Sequence, residues 1–453
     1  MDKNIINNLL CWKRKKLKKA SLFLHPDKPY FFISGAVFEE FLKNYKSCKS
    51  YRDSISIISS KYEVSQKTVR DDISKVIERV GSLGIMKGQD IRPFPDNEKI
   101  DGLFLHLTSR CNLTCPHCYR GKPGKRTELS SKIVDNAINE LSQIEGSTLV
   151  LSGGEPLLYK GFNGILEYAA GRIKNVKVLS NGTLIDDKIA HLIADTRAFI
   201  QVSLDGASER TNDEVRGKGS YKKVMKGLER LRKAGAIKRC NLSFTIMKHN
   251  AGEIEKIIEM TESFGIPSVR FLVLRKEGCA VNNWERIGSG ITTEEYEEVF
   301  KKLFYLGGNN NGSVSIEGGL SGFNVSFSND EAMNPLLCPV GNSPAVDLDG
   351  KVYPCVLLMQ EEFLMGDLSK DTLEDICKRR EVSKIRTKCA ERKKRVNKCR
   401  ACTWNNFCQS ACAGLAYECH DTIWETDNFC SVRKRLYDHV FNEMVDRASD
   451  SRK

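Results

Sequence analysis

The sequence predicts an α/β protein, an incomplete parallel barrel between a small hairpin-and-helix domain and a cysteine-rich C-terminal domain. Three observations lead there. Between residues 103 and 274 short apolar runs alternate with helix-period segments; residues 20–90 carry a hairpin followed by three helical patterns; and ten of the 17 cysteines lie at or beyond Cys338. Strands that alternate with helices call for crossover connections and a parallel sheet.

Composition sets the limits. A chain of 453 residues can hold two to four domains. It contains no run of eighteen apolar residues, so the expectation is a cytoplasmic protein with no membrane partner. In that compartment 17 cysteines argue against a disulfide framework and for metal or redox chemistry. The net charge of +13 is uneven: residues 1–100 hold 20 Lys+Arg against 12 Asp+Glu. Such a basic end suits an acidic partner, nucleic acid or an acidic peptide. The tail Lys13 to Lys19, taken alone, is expected to be a solvated basic face.

In the N-terminal domain, set at residues 1–93, Leu22-Phe23-Leu24 and Tyr30-Phe31-Phe32-Ile33 are β-prone runs joined by the turn His25-Pro26-Asp27-Lys28-Pro29. Helices are predicted over Ala36–Tyr45, Ser54–Tyr62 and Gln66–Leu83, with Ser65 as the N-cap of the third. A hairpin plus three helices is a winged helix-turn-helix. Gln66, Lys67 and Arg70 could face DNA in such a domain. The strings Pro26-Asp27-Lys28-Pro29-Tyr30-Phe31 and Val80-Gly81-Ser82-Leu83-Gly84-Ile85 also resemble the RiPP recognition element, which implies a hairpin edge that takes up a leader peptide as an added strand. Residues 94–101 read as a linker.

Strands are predicted at Leu103–Leu107, Thr148–Leu151, Val176–Ser180, Phe199–Leu204, Asn241–Met247 and Val269–Leu274, with helices such as Ser130–Ile144, Tyr221–Ala234 and Ala251–Phe264 between them. Six units make a partial (β/α)6 TIM barrel over residues 102–290, open on one side and with its site at the strands' C-terminal ends. Residues 291–337 form a bridge with no evident chemistry.

The chemistry begins after the first of these strands. Cys111, Cys115 and Cys118 stand at C-x3-C-x2-C with Tyr119 beside them, and Gly153-Gly154-Glu155-Pro156 follows the second strand. Three thiolates from one loop can hold a cubane cluster and leave one iron open, whereas a zinc site would be closed by four ligands. This pairing of motifs resembles the radical S-adenosylmethionine (SAM) superfamily. The resemblance implies a [4Fe–4S] cluster on those three cysteines and S-adenosylmethionine chelating the open iron. It implies a pocket of Tyr119 near the adenine, Gly153, Gly154 and Glu155 at the amino group, Ser180, Asn181, Ser203 and Asp205 at the ribose rim, and Arg216 at the carboxylate. No catalytic acid or base stands out.

A second pattern starts at Cys338. Eleven residues separate it from Gly350 and four more from Cys355; Cys399-x2-Cys402-x5-Cys408-x3-Cys412 and then Cys430 complete it. This set resembles the SPASM domain, here residues 338–453, and implies two auxiliary [4Fe–4S] clusters, three clusters in all. Cys399, Cys402, Cys408 and Cys430 go to the second, and Cys338, Cys355 and Cys412 to the first. The first then lacks a fourth cysteine, since residues 280–337 contain none. Either Cys279 folds back to it or one iron stays open. Cys11, Cys48, Cys240, Cys377, Cys389 and Cys419 belong to no motif and read mostly as packing or surface residues.

The domain order resembles that of enzymes that modify ribosomally made peptides through a 5′-deoxyadenosyl radical. The expected product is an intramolecular crosslink in a precursor peptide, a cysteine thioether first, because an open iron could hold a substrate thiolate. Carbon–carbon crosslinking and sulfatase-type maturation are the neighbouring activities. An Fe–S DNA-binding redox sensor and a zinc-bound scaffold are the rivals from other classes. A flavodoxin- or ferredoxin-type electron donor is implied, and nucleic acid is not the expected partner.

Overall fold

The computed structural model describes residues 3–27, 30–48, 50–82, 100–121, 127–144, 147–287, 291–309, 314–321, 323 and 338–450. Most of the 94–101 linker and Leu83-Gly84-Ile85 fall outside them. Among the described residues no helix is long and apolar enough to cross a membrane.

The N-terminal part opens with a helix, Lys3–Leu10, and a three-stranded antiparallel sheet in the order β1 (Lys13–Lys16), β2 (Ser21–Leu24), β3 (Phe31–Ser34). Helices Ala36–Cys48, Tyr51–Tyr62 and Gln66–Ser82 follow. Ser65 caps the last, its Oγ accepting from Thr68 N at 3.0 Å.

Alternation along β2 and β3 gives this sheet two apolar faces. Phe23 stacks on Phe32 with centroids 4.5 Å apart, facing the N-terminal helices. Leu22, Leu24 and Phe31 face the other way, onto Trp404, Tyr437 and Phe441 of the C-terminal region. Phe31 meets Phe441 at 4.9 Å.

The basic tail is solvated at Lys13, Lys16, Lys18 and Lys19, which are exposed, but it is also anchored. Its first residues form β1, Lys15 pairs with Asp438 at 2.8 Å and lies over the Trp404 ring, and Lys19 pairs with Asp446 at 3.0 Å. Asn406 Nδ2 also donates to His25 O and Pro26 O in the hairpin turn. The acidic partner of this segment is the chain's own C-terminal helix, Cys430–Asp450, which no local pattern in the tail could reveal.

The core sheet holds parallel strands β4 (Gly102–Thr108), β5 (Thr148–Gly153), β6 (Asn175–Ser180), β7 (Phe199–Ser203), β8 (Cys240–Ile246) and β9 (Ser268–Val273), each beside the next. These lie within two residues of the predicted six. The sheet runs further than predicted. In the bridge, β10 (Ser315–Gly319) adds a parallel strand beside β9. At the other edge β11 (Ala345–Val346) pairs in parallel with β4, followed antiparallel by β12 (Lys351–Tyr353) and β13 (Gly366–Asp367). The cysteine-rich region is thus built onto the barrel edge that carries Cys111–Cys118. Between Cys355 and Cys399 it carries two α-helices, Leu373–Cys377 and Arg380–Arg395.

Candidate active site

Beyond Thr108 the chain leaves β4 and crosses the end of β5. Gly154 N donates to Thr108 O at 2.6 Å and Glu155 N to Arg110 O at 2.8 Å. Only glycine allows this approach. A Cβ on Gly154 would stand 2.3 Å from Arg110 O, and one on Gly153, whose φ is +140°, would stand 2.4 Å from Thr108 O. The two glycines first of all seat the cysteine loop.

Cys111, Cys115 and Cys118 line a cavity of about 510 Å³ at the C-terminal ends of the strands, with Gly154, Cys279 and Arg286 also in its wall. Asn181 Nδ2 reaches Cys111 Sγ at 3.8 Å and Asn112 Oδ1 at 2.9 Å. Burial pushes the Cys115 thiol up to about 11, against the pull of Arg216, so binding iron would displace a proton from it. The donor set fits a cluster with one open iron: three thiols from one loop, with unfilled volume beside them.

Of the other residues expected at S-adenosylmethionine, several stand behind the wall. Glu155 is fully buried and accepts from Asn181 N at 2.7 Å, Ser180 Oγ at 2.9 Å and Leu157 N at 3.2 Å. Burial raises its pKa to about 7 despite these bonds. Its carboxylate braces the ends of β5 and β6. Asp205 is likewise fully buried. Its Oδ1 accepts from Thr245 N at 2.8 Å, and its Oδ2 lies 2.7 Å from Arg216 Nε and 3.2 Å from His117 Nε2.

Burial opposes the charge on Asp205, and Arg216 and His117 more than offset it, holding the carboxyl well below its usual range. Arg216 is thereby held beside Cys115 and Cys118 and is absent from the cavity wall, where Arg120 and Arg286 are the cationic side chains. Tyr119 is half-buried beneath the Arg275 guanidinium, 5.5 Å from its ring centroid. Arg275 Nε in turn donates to Glu418 Oε2 at 2.8 Å, joining barrel and C-terminal region. Ser203 ends β7 in register with Ser243. His117 lies inside the motif, yet spacing alone gave it no role; Cys279 and Arg286 sit on a helix whose contact with the loop is purely tertiary.

The C-terminal cysteines form two groups. Cys399, Cys402, Cys408 and Cys430 line one narrow cavity with Trp404, Arg433 and Tyr437. Cys355 has Cys412 and Cys338 beside it. Cys279 does not fold back to that group; its N–H donates to Cys118 O at 2.8 Å, at the barrel mouth. The cysteine that does arrive is Cys389, buried on helix Arg380–Arg395, a helix whose Arg386 donates to Gly341 O at 2.9 Å beside Cys338 and whose Arg392 donates to Ala411 O at 3.0 Å beside Cys412. A zinc site needs four ligands at about 2.3 Å from one ion, and among the described residues no three His, Cys, Asp or Glu side chains are so placed.

Residues 105–261 match the radical SAM superfamily and residues 338–403 the SPASM iron–sulfur cluster-binding domain. The mycofactocin maturase MftC of Mycolicibacterium smegmatis is 29% identical over 286 residues, 59% of this chain and 67% of that protein. The sporulation killing factor maturation protein SkfB of Bacillus subtilis is 28% identical over 278 residues, 60% of this chain and 63% of that protein. The crystal structure of Streptococcus suis SuiB bound to S-adenosylmethionine shares the fold over 92% of this chain and 98% of that one, with TM-score 0.60 and 13% identity. A motif that fits an open-iron cluster, a barrel that presents it, and two matched domains in this order place the chain among the radical SAM enzymes that carry a SPASM domain.

Proposed function

We propose that this enzyme installs an intramolecular crosslink, a cysteine thioether, in a ribosomally synthesised precursor peptide. The observation that carries this reading is the 510 Å³ cavity with three cluster thiols in its wall, at the mouth of a barrel whose edge continues into the cysteine-rich region. The relatives support a peptide substrate: two are named for maturation of a peptide product, and SuiB has also been crystallised with its precursor peptide SuiA.

A [4Fe–4S] cluster on Cys111, Cys115 and Cys118 with S-adenosylmethionine would supply a 5′-deoxyadenosyl radical able to take hydrogen from an unactivated carbon. The chain's own residues position and enclose. Asn181 and Asn112 hold the loop, Glu155 fixes the strand ends beneath it, and Arg286 offers a cation to a carboxylate in the cavity. In this reading the C-terminal cysteines hold two auxiliary clusters, three in all, that accept the electron left by crosslinking. Residues 1–93 act as a winged-helix recognition element for the leader of the peptide, and a flavodoxin- or ferredoxin-type protein supplies the reducing electron in the cytoplasm.

The anaerobically reconstituted enzyme, given S-adenosylmethionine, reductant and the peptide, should yield a product lighter by two hydrogens with one fewer alkylatable cysteine. The same mass loss with every cysteine still alkylatable would mean carbon–carbon crosslinking. An unchanged peptide mass despite S-adenosylmethionine cleavage would remove crosslinking altogether.

A further inference from the structure

We infer that Cys389 is the fourth protein ligand of the first auxiliary cluster, so that this cluster is closed by the chain itself. The inference rests on the SPASM domain holding iron at Cys338, Cys355 and Cys412, and concerns what fills the position those three leave.

Sequence spacing offered Cys279 or nothing. The structure takes Cys279 away, since its backbone is bonded to Cys118 and its side chain lines the barrel cavity. It brings Cys389 in. This residue lies in the middle of helix Arg380–Arg395 and is 6% exposed, in the core cluster against which Cys338 and Cys355 pack. Three residues to either side of it, Arg386 donates to Val340 O at 3.3 Å and Gly341 O at 2.9 Å, and Arg392 donates to Ala411 O at 3.0 Å, so it faces the Cys338 and Cys412 segments together. Cys338 and Cys355 each have Cys412 near them. Four thiols thus converge from four separate segments.

The surroundings suit an anionic cluster. Cys355 opens a turn, Leu358 N donating to its carbonyl at 3.2 Å, and Cys412 precedes a helix, Ala416 N donating to its carbonyl at 3.2 Å, so backbone N–H groups follow both thiols in the chain. One helical turn beyond Cys389, on the same face, Arg392 is 1% exposed and lies near the Cys338 sulfur. A cysteine that merely filled core would need neither neighbouring thiols nor a buried cation. Uptake of iron by Cys389 releases its thiol proton to solvent and changes no oxidation state. With four thiolates in place, the cluster passes electrons and has no free iron for a substrate thiolate. A thioether would then form by the peptide sulfur joining the carbon radical away from iron, its thiol proton leaving to solvent and the one surplus electron passing to the auxiliary clusters.

The test uses the full chain with Cys111, Cys115 and Cys118 all replaced by alanine, which leaves the auxiliary clusters. Reconstituted with ⁵⁷Fe, it should hold about eight irons, all with tetrahedral sulfur Mössbauer parameters, and its reduced EPR spectrum should not move when free cysteine is added. Adding C389S should make about one iron in eight distinct and make the spectrum respond to cysteine. A distinct, cysteine-responsive iron already present in the parent overturns the inference, whatever the variant does. So does a C389A or C389S protein whose spectra match the parent's. Absence of iron from the parent would instead reject auxiliary clusters here, a separate failure.

Discussion

The barrel-mouth cysteines and the C-terminal cysteines do related work in opposite settings. Cys111, Cys115 and Cys118 come from eight consecutive residues, on a loop zipped to β5 by backbone bonds, and face a 510 Å³ cavity. The C-terminal groups draw on residues 338 to 430, packed between the barrel edge and the N-terminal sheet. An open site can be built from one loop because only three ligands are required and the fourth direction must stay clear. A closed site needs ligands from all sides, so it needs a domain. Both settings share one device, a buried arginine beside the thiols: Arg216 near Cys115, Arg392 near Cys338 and Arg433 near Cys408. Arg216 and Arg433 are paired with the buried carboxylates of Asp205 and Asp427, whereas among the described residues Arg392 is held only by backbone carbonyls, so its charge is the one left free to offset thiolates in a low-dielectric interior.

The largest expected effect lies at the mouth. Cys115→Ala should abolish S-adenosylmethionine cleavage and remove about four irons per chain while leaving thermal stability little changed, because the loop's hold on β5 is through backbone. A collapse of the fold in this variant would show the mouth to be as structural as the C-terminal groups and break the contrast.

Arg392 tests the other side. It donates to Ile423 O at 2.6 Å, Ala411 O at 3.0 Å and Glu425 O at 3.0 Å. Arg392→Met leaves three buried carbonyls without a donor, at a cost of roughly 3 kcal/mol or more. Differential scanning calorimetry should show an earlier, broader transition, with auxiliary iron lost first. For Arg216, whose charge is met by Asp205, the matching change Asp205→Asn should act through pH. A carboxylate with a lowered folded pKa contributes stability above its unfolded pKa, near 3.9, and loses it as pH falls through the folded value. The wild type should therefore lose stability on acidification below about pH 4 more steeply than Asp205→Asn. Parallel curves would mean that Asp205 does not hold its charge.

The docking of the N-terminal sheet comes next in size. Phe441→Ala removes the ring between Trp404 and Phe31, at about 3 to 4 kcal/mol. Limited proteolysis should then release the N-terminal region while the barrel stays intact. Lys15→Ala, at the rim of the same contact, should cost at most about 1 kcal/mol.

These same contrasts explain what could be read beforehand. The six barrel strands were legible because each is a short β-prone run with apolar residues on its buried face, as Leu149 and Leu151 or Val176 and Val178 show. The mouth ligands were legible because one loop keeps its spacing in sequence. Cys389 was not: it is a buried cysteine on an otherwise charged helix, and only the fold brings that helix to Cys338. Glu155 and Asp205 were found as polar residues at strand ends, but whether a strand-end carboxylate faces a ligand or its own scaffold depends on neighbours such as Asn181 and Arg216 that sequence order does not place. The two-residue β11 and the pairing of Lys15 with Asp438 are likewise tertiary facts.

The finest test lies between the two C-terminal groups. Cys408 serves one and Cys412 the other, and Gln409, Ser410 and Ala411 between them have φ of 51°, 64° and 53°. A left-handed turn of three non-glycine residues costs roughly 1 to 2 kcal/mol per residue, and such strain persists only where the surroundings impose it. Here the imposition is visible: Arg392 holds the Ala411 carbonyl, and Cys408 and Cys412 at the two ends face different groups of cysteines. Ala411→Gly relieves the local strain but gives the unfolded chain more freedom, so the net gain should be below about 1 kcal/mol, a rise in Tm of about 1 to 3 °C with iron content unchanged. In the Arg392→Met background the turn is no longer imposed. Glycine should then make the retention of iron by the first group worse, because nothing fixes the direction of Cys412. If glycine helps equally in both backgrounds, Arg392 serves as packing and the turn is set by its own sequence.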